Sequence, residues 1–405
     1  MNVPVVGNGW AVGIAFQTHL VVVAFVIGIA ILAPAAEMAG LRAGADHWAR
    51  LARELASTVV KLFSFGATWA VLALVLLFGL YPRLFGILSS LFFGPLLIVA
   101  VIWLIMTVSA YLYYHTWDSL RHRRGLHIAI GWLFAVATLL FIALITTLSS
   151  YQLTPTDPSS LAAVVFNPSW PTEIAHRDLG NLSYAGLILA GYAGSRSLFF
   201  RHVGPADRAY YDWLGHTSLL LGVGLLLLQP ILGWLYAHQI QGASPDAFKR
   251  MMQGDNGWMF LVQQLFFGAA LLLGNLYMVL AVRRGEGRSR GTAWMGRSLW
   301  LIGALAMLAI VPREWPLGQM TPWKYLSIGG EVLLTLVNLV IYLRSRRGFT
   351  WGRANPGSQA ALAATALSIV LLMIAMGTIR EGARGGDLIY HRLGPGQAEQ
   401  LDTGQ

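Results

Sequence analysis

Residues 95–118 read PLLIVAVIWLIMTVSAYLYYHTWD, and no Asp, Glu, Lys or Arg occurs before Asp118. A helix needs about 20 mostly apolar residues to cross the hydrocarbon core of a bilayer, and this stretch supplies them. Similar runs lie near 11–36, 56–80, 87–114, 127–149, 179–200, 213–237, 258–282, 297–311, 325–343 and 360–378. The pattern predicts an all-α, polytopic helical membrane protein with about ten spans. The whole chain agrees. Of 405 residues 56% are hydrophobic and 11% charged, where a soluble domain carries roughly a quarter charged. A soluble multidomain enzyme is excluded, because its surface could not be covered.

Charge placement orients the spans. Loops after odd-numbered spans hold 18 Lys and Arg residues, and loops after even-numbered spans, with the tail, hold nine. Basic residues favour the cytoplasmic side, which puts both termini outside. The net charge of +10 is therefore a topology signal, and it speaks against nucleic-acid binding. The opening MNVPVVGNGW lacks a basic segment and a small-residue cleavage site, so the first apolar run is expected to remain in the mature chain. No internal repeat is visible. The absence of cysteine excludes disulfides, iron–sulfur clusters, thiolate-bound heme and covalently attached c-type heme. Any heme must rest on His, Met or carboxylate.

Ligating and ionisable residues inside a membrane are costly, which makes them functional candidates. His19 lies deep in the first run among Phe16, Leu20, Val21 and Val22, and its ring nitrogens need partners. His176 opens the fifth span and His238 closes the sixth at similar outer depth. Together they suit heme ligation, against the plainer reading of core histidines satisfied by neighbouring groups. His115, His122, His127, His202 and His216 lie at the opposite ends of spans, where interfacial cations are expected. Most acids fall in loops. Glu331, two turns into the ninth span, is the exception, either a proton or quinone group or a carboxyl satisfied by a neighbour. In VPREWPLGQMTPW (311–323), Arg313 and Glu314 form either an interfacial anchor with Trp315 and Trp323 or a rim where Arg313 meets a heme propionate.

The order of these features resembles subunit I of the cytochrome bd quinol oxidases over residues 10–345. The likeness is carried by Gln17-Thr18-His19 in the first span and Trp117-Asp118 after the third. Asn167-Pro168 with His176 nine residues after the Asn continues it, as does the Arg of Pro312-Arg313-Glu314-Trp315-Pro316. The resemblance implies that His19 and His176 ligate heme b, with Met259 or His238 as sixth ligand. It also implies a second hydrophobic membrane subunit and a c-type cytochrome or other redox subunit outside. The chain departs from the family where oxygen is reduced. Its third span has no acid before Asp118, Ile310 stands where the family has a heme-ligating Glu, and the outer loop 239–257 is short. Quinol is expected near that loop, with Lys249, Arg250 and Asp255 as polar candidates.

Residues 1–345 are expected to form the heme-binding transmembrane domain, and 346–405 to add a span and an outward polar tail. The expected function is a heme-b membrane subunit of a respiratory complex in a prokaryotic cytoplasmic membrane, passing electrons between quinol and an external partner. A dioxygen-reducing oxidase with Glu331 or Glu314 as proton groups is the alternative. A non-redox transporter or structural subunit is the third.

Overall fold

The computed structural model describes residues 3, 7–199, 204–252, 257–283, 290–312, 321–345, 350–383, 397 and 402. Its regular elements are all helical among these residues: α1 (Asn8–Ala43), α2 (Asp46–Leu80), α3 (Pro82–Leu91), α4 (Phe93–His115), α5 (Arg124–Tyr151), α6 (Leu161–Val165), α7 (Trp170–Phe199), α8 (Pro205–Leu226), α9 (Gln229–Ala243), α10 (Pro245–Met252), α11 (Gly257–Val282), α12 (Arg290–Ala309), α13 (Thr321–Ser345) and α14 (Pro356–Ala383). With no water in the hydrocarbon core, helices satisfy every backbone group internally, which is why such apolar runs fold this way.

Nine stretches are long and apolar enough to cross a membrane among the described residues, the α8–α9 stretch counting as one. The expected fifth span falls in α7 and does not reach that threshold. Its first turns carry Glu173, Arg177 and Asp178, and Asn181, Ser183 and Arg196 follow. Two expected spans are also interrupted. The chain breaks at Phe92 between α3 and α4, and near Leu227 ahead of Pro230 between α8 and α9.

The described chain divides into two compact units. The first contains residues 1–182, 232–251 and 380–405, and the second 183–231 and 252–379. Neither unit begins or ends at 345. In the first, α1 packs along α2 and α5, and α4 along α5. Gly66 is buried where α2 meets α1, and a Cβ there would stand 3.3 Å from Val23 Cγ2. In the second unit α11, α12 and α13 pack on one another. Gly186 and Gly222 bring α7 and α8 so close that a Cβ on Gly186 would lie 2.9 Å from the Gly222 amide nitrogen. Small residues at such crossings replace the hydrophobic drive that lipid removes.

Candidate functional site

His19 sits half-buried on α1, with Nδ1 2.9 Å from the backbone carbonyl of Gly66. A carbonyl only accepts, so Nδ1 carries the proton and Nε2 presents a lone pair. This is the arrangement in which an outer partner holds a metal-ligating imidazole in one tautomer. Gly66 serves twice, since its missing side chain also lets α1 approach.

His176 is held by the way α7 begins. Asn167 is fully buried and donates to Ser150 Oγ and the Val164 carbonyl, while Thr154 donates to its Oδ1. The Trp170 indole donates to the Ala143 carbonyl. The Asn-Pro element therefore pins the start of α7 to the end of α5. Glu173, His176 and Arg177 then share a face, at spacings of three and four. Tyr236 of α9 stacks beside the His176 ring at 6.0 Å and donates its hydroxyl to Glu173 Oε2 at 3.0 Å. Gly233 leaves the ring room, because a Cβ there would lie 3.4 Å from His176 Cε1. Arg177 is close enough to act electrostatically on both His19 and His176.

The residues present fit a heme. Two imidazoles held on α1 and α7 are suitable axial donors, and one has its tautomer set by a backbone carbonyl. Among the described residues no three His, Cys, Asp or Glu converge as a bare-metal site would need.

The other expected residues are placed differently. His238 is exposed and stacks on Trp234 at 5.3 Å. That is a different face of α9 from the Gly233–Tyr236 face against His176, so the two histidines are not brought together. Met259 lies in the first turn of α11 in the second unit. Lys249 is exposed on α10 with Asp246 at 3.9 Å, and Arg250 donates to the Ala383 carbonyl at 3.1 Å. Asp255, Arg313 and Glu314 lie outside the described residues. Glu331 is 1% exposed, and its Oε2 is buried without a hydrogen-bond partner among the described residues. Gly268 packs near that oxygen.

Two histidines expected at the interface are interior, which corrects that reading. His127 is fully buried, with Nδ1 against Glu37 and Nε2 2.8 Å from the Tyr113 carbonyl. Tyr113 donates to the same carboxylate at 3.0 Å, and Arg124 approaches it at 3.3 Å. His216 is 2% exposed and meets the Tyr342 hydroxyl at 2.7 Å. The acids differ from expectation too, since Glu37, Glu173 and Asp212 are buried alongside Glu331. The helices run past their apolar segments, so end residues pack on neighbouring helices. The cue in the sequence was the long α1, whose apolar run continues to Glu37.

A third polar cluster links α11, α12 and α13. Asn275 donates to Thr335 Oγ1 and the Leu271 carbonyl, while Asn338 donates to Asn275 Oδ1 and Ser298 Oγ. Every amide hydrogen of the two Asn side chains is used. The cluster binds three helices, and neither Asn keeps an amide hydrogen over for a ligand.

Comparison with known proteins agrees with this architecture. A search of curated proteins finds no match. The fold is similar to that of the bd oxidase from Geobacillus thermodenitrificans, with 13% identity and a TM-score of 0.56, covering 93% of this chain and 97% of that one. The model of the cytochrome bd terminal oxidase subunit I family matches residues 9–379, which reaches into α14. The chain belongs to the cytochrome bd terminal oxidase subunit I family: a multi-pass prokaryotic cytoplasmic-membrane protein and a heme-containing respiratory subunit.

Proposed function

We propose that this subunit passes electrons between quinol and a redox partner on the outer side of the membrane, with His19 and His176 as axial ligands to heme b. The observation that carries the reading is the His19 Nδ1 contact with the Gly66 carbonyl, which leaves Nε2 available to iron. A bound heme supplies a one-electron couple. The chain's own residues hold the rings. Gly66 sets the His19 tautomer, and Tyr236, tied to Glu173, flanks His176. Outer facing follows from the two-to-one bias of basic residues. Quinol would approach α10 beside Lys249 and Arg250. A second hydrophobic membrane subunit would complete the complex, and a c-type cytochrome or other redox subunit outside would exchange electrons with it.

The test is a dithionite-reduced minus oxidised visible spectrum of the purified protein, repeated with His19→Ala and His176→Ala. Each variant is expected to lose a distinct b-type signal. A parent protein with no reducible Soret band would end the reading.

One observation favours dioxygen reduction as a second reading. The third span lacks its own acid, yet Glu37 of α1 is buried against Tyr113 of that span and His127 of α5. Such a cluster can hold a proton near a span otherwise without a carboxylate. Quinol-driven oxygen uptake by the purified complex distinguishes this reading from electron transfer to an external partner.

A further inference from the structure

The buried carboxylates of Glu37 and Glu173 are held by cations. Arg124 approaches the first, and Arg177 and Arg380 form ion pairs with the second. Glu331 on α13 is as deeply buried, yet its Oε2 has no hydrogen-bond partner among the described residues. Gly268 of α11 gives that oxygen room, since a Cβ there would stand 3.2 Å from it. A carboxyl so placed stays in its neutral, protonated form. It contributes nothing to packing that an apolar side chain would not, so its use is chemical.

Glu331 also belongs to a row. Ser327, Glu331, Thr335, Asn338 and Tyr342 follow at spacings of four, four, three and four, which keeps them on one face of α13. None is more than 2% exposed, while Leu326, Leu333, Leu336 and Val340 on the opposite face are exposed. Consecutive members lie one turn apart, about 5–6 Å along the axis. The middle of the row is fixed from two other helices. Asn275 of α11 donates to Thr335 Oγ1 at 2.9 Å and accepts from Asn338 at 2.8 Å, and Asn338 donates to Ser298 Oγ of α12 at 2.7 Å. The amides cannot pass a proton themselves. They orient the hydroxyls of Thr335 and Ser298, each of which has a hydrogen to give and a lone pair to receive. At the far end the Tyr342 hydroxyl meets His216 Nδ1 of α8 at 2.7 Å. The His216 ring lies 5.2 Å from that of Trp351, which is exposed. The segment 344–353 is rich in arginine, as cytoplasmic loops are. Interhelical bonding accounts for the Asn275–Asn338 cluster, but not for an unpartnered acid one turn beyond it.

We propose that this face of α13 is a proton path, which links water at His216 to the carboxyl of Glu331 through the hydroxyls of Tyr342, Ser298 and Thr335. Each passage moves one proton and no electron. A hydroxyl on the path accepts a proton on its lone pair and releases its own onward. Glu331 loses one O–H bond when it gives up its proton and regains one when the path refills it. A bridging water closes each step of one turn. The path gives the protein proton access from the cytoplasmic side, although α4 carries no acid. All of its residues lie in the second unit, and it does not depend on the heme ligands.

The experiment uses the full-length protein purified with its partner subunits. Infrared spectra are recorded in the carbonyl stretch of protonated carboxylic acids while the buffer is replaced by heavy water. The band missing from Glu331→Gln reports the Glu331 proton, and its downshift times the exchange of that proton with solvent. Tyr342→Phe keeps the ring and removes one hydroxyl of the path, and Thr335→Val removes another. Each is expected to slow the exchange by about 100-fold, the lower end of what a positioned proton-transfer group contributes. A variant that merely loosens the packing admits water and speeds exchange, so slowing marks a cut route. Exchange as fast as the parent's in either assembled variant would overturn the proposal. So would a parent protein with no Glu331-dependent band. If Tyr342→Phe fails to assemble, Thr335→Val decides alone. The readout needs no heme, so its result is separate from that of the heme reading.

Discussion

The Nδ1 atom of His127 on α5 lies 2.9 Å from both carboxylate oxygens of Glu37 on α1, while His127 Nε2 meets the Tyr113 carbonyl on α4. Three helices are joined by one buried carboxylate, whose other contacts are the Tyr113 hydroxyl and Arg124. Arg124 in turn lies 5.1 Å over the Trp117 ring. Removing one partner of a buried pair strands the other. Glu37→Leu is therefore expected to destabilise by about 3–5 kcal/mol, read as a lower melting temperature in detergent. His127→Leu in the same background should add far less than it does alone, because the two changes break one network. Additive losses would show that the two residues are not coupled.

Gly131 on α5 makes that network possible. A Cβ at this position would stand 2.7 Å from Tyr113 Cε2 and 3.0 Å from Pro34 Cβ. Tyr113 is fully buried and hydrogen-bonded, so its ring has little freedom to move. Gly131→Ala is expected to cost about 1–3 kcal/mol as overpacking, although alanine is the better helix former. A variant as stable as the parent would mean that the ring relocates freely.

The Asn275–Asn338 pair offers a different balance. Asn338→Leu would strand Asn275 Oδ1 between α11, α12 and α13, while Ser298 Oγ keeps its bond to the Met295 carbonyl. A stranded buried polar group costs roughly 1–3 kcal/mol in soluble proteins. Interhelical hydrogen bonds within membranes average only about 0.6 kcal/mol. The network spans three helices and the substitution leaves one acceptor unmet, so a loss near 1 kcal/mol is expected. Thermal or denaturant unfolding in micelles measures it.

Glu331 should behave in the opposite way to Glu37. It is buried, but no hydrogen-bond partner holds its Oε2 among the described residues. Replacing an unpaired buried acid by Gln or Leu removes a desolvation penalty without breaking a contact. Glu331→Gln is expected to leave stability equal or improved while slowing quinol oxidation. Unchanged turnover in a well-folded variant would remove Glu331 from the proton-handling residues.

At His19 the prediction concerns the backbone behind the ligand. Gly66→Val would drive a side chain against Val23, which already stands 3.3 Å from the Cβ position. That would pull the carbonyl away from His19 Nδ1. Loss of the hydrogen-bond partner behind a ligating imidazole typically reduces metal affinity by 10–100-fold. A weaker or shifted b-heme band is expected, while the band that depends on His176 is retained.

Much of this was legible in the chain. Apolar run length determined the helical membrane fold, because a bilayer leaves helices as the way to satisfy a backbone of this composition. His19 and His176 stood out because their depth along apolar runs can be counted residue by residue. The order of Gln17-Thr18-His19, Trp117-Asp118 and Asn167-Pro168 led to the right family. Residue counting could not foresee the interior at the helix ends. Glu37, His127 and His216 sit where an isolated helix would meet the interface. Whether such a residue faces lipid, water or another helix depends on how neighbours cross, and that is set by long-range contacts such as Gly131 beneath Tyr113. The same limit applied to α9, where His238 and Tyr236 differ by two positions and face different ways. Sequence by itself determined which segments enter the membrane, since transfer from water to lipid depends on local composition. The tertiary structure alone decided which buried charges share a partner, since Glu173 and Arg380 lie over two hundred residues apart and meet only once the helices between them have packed.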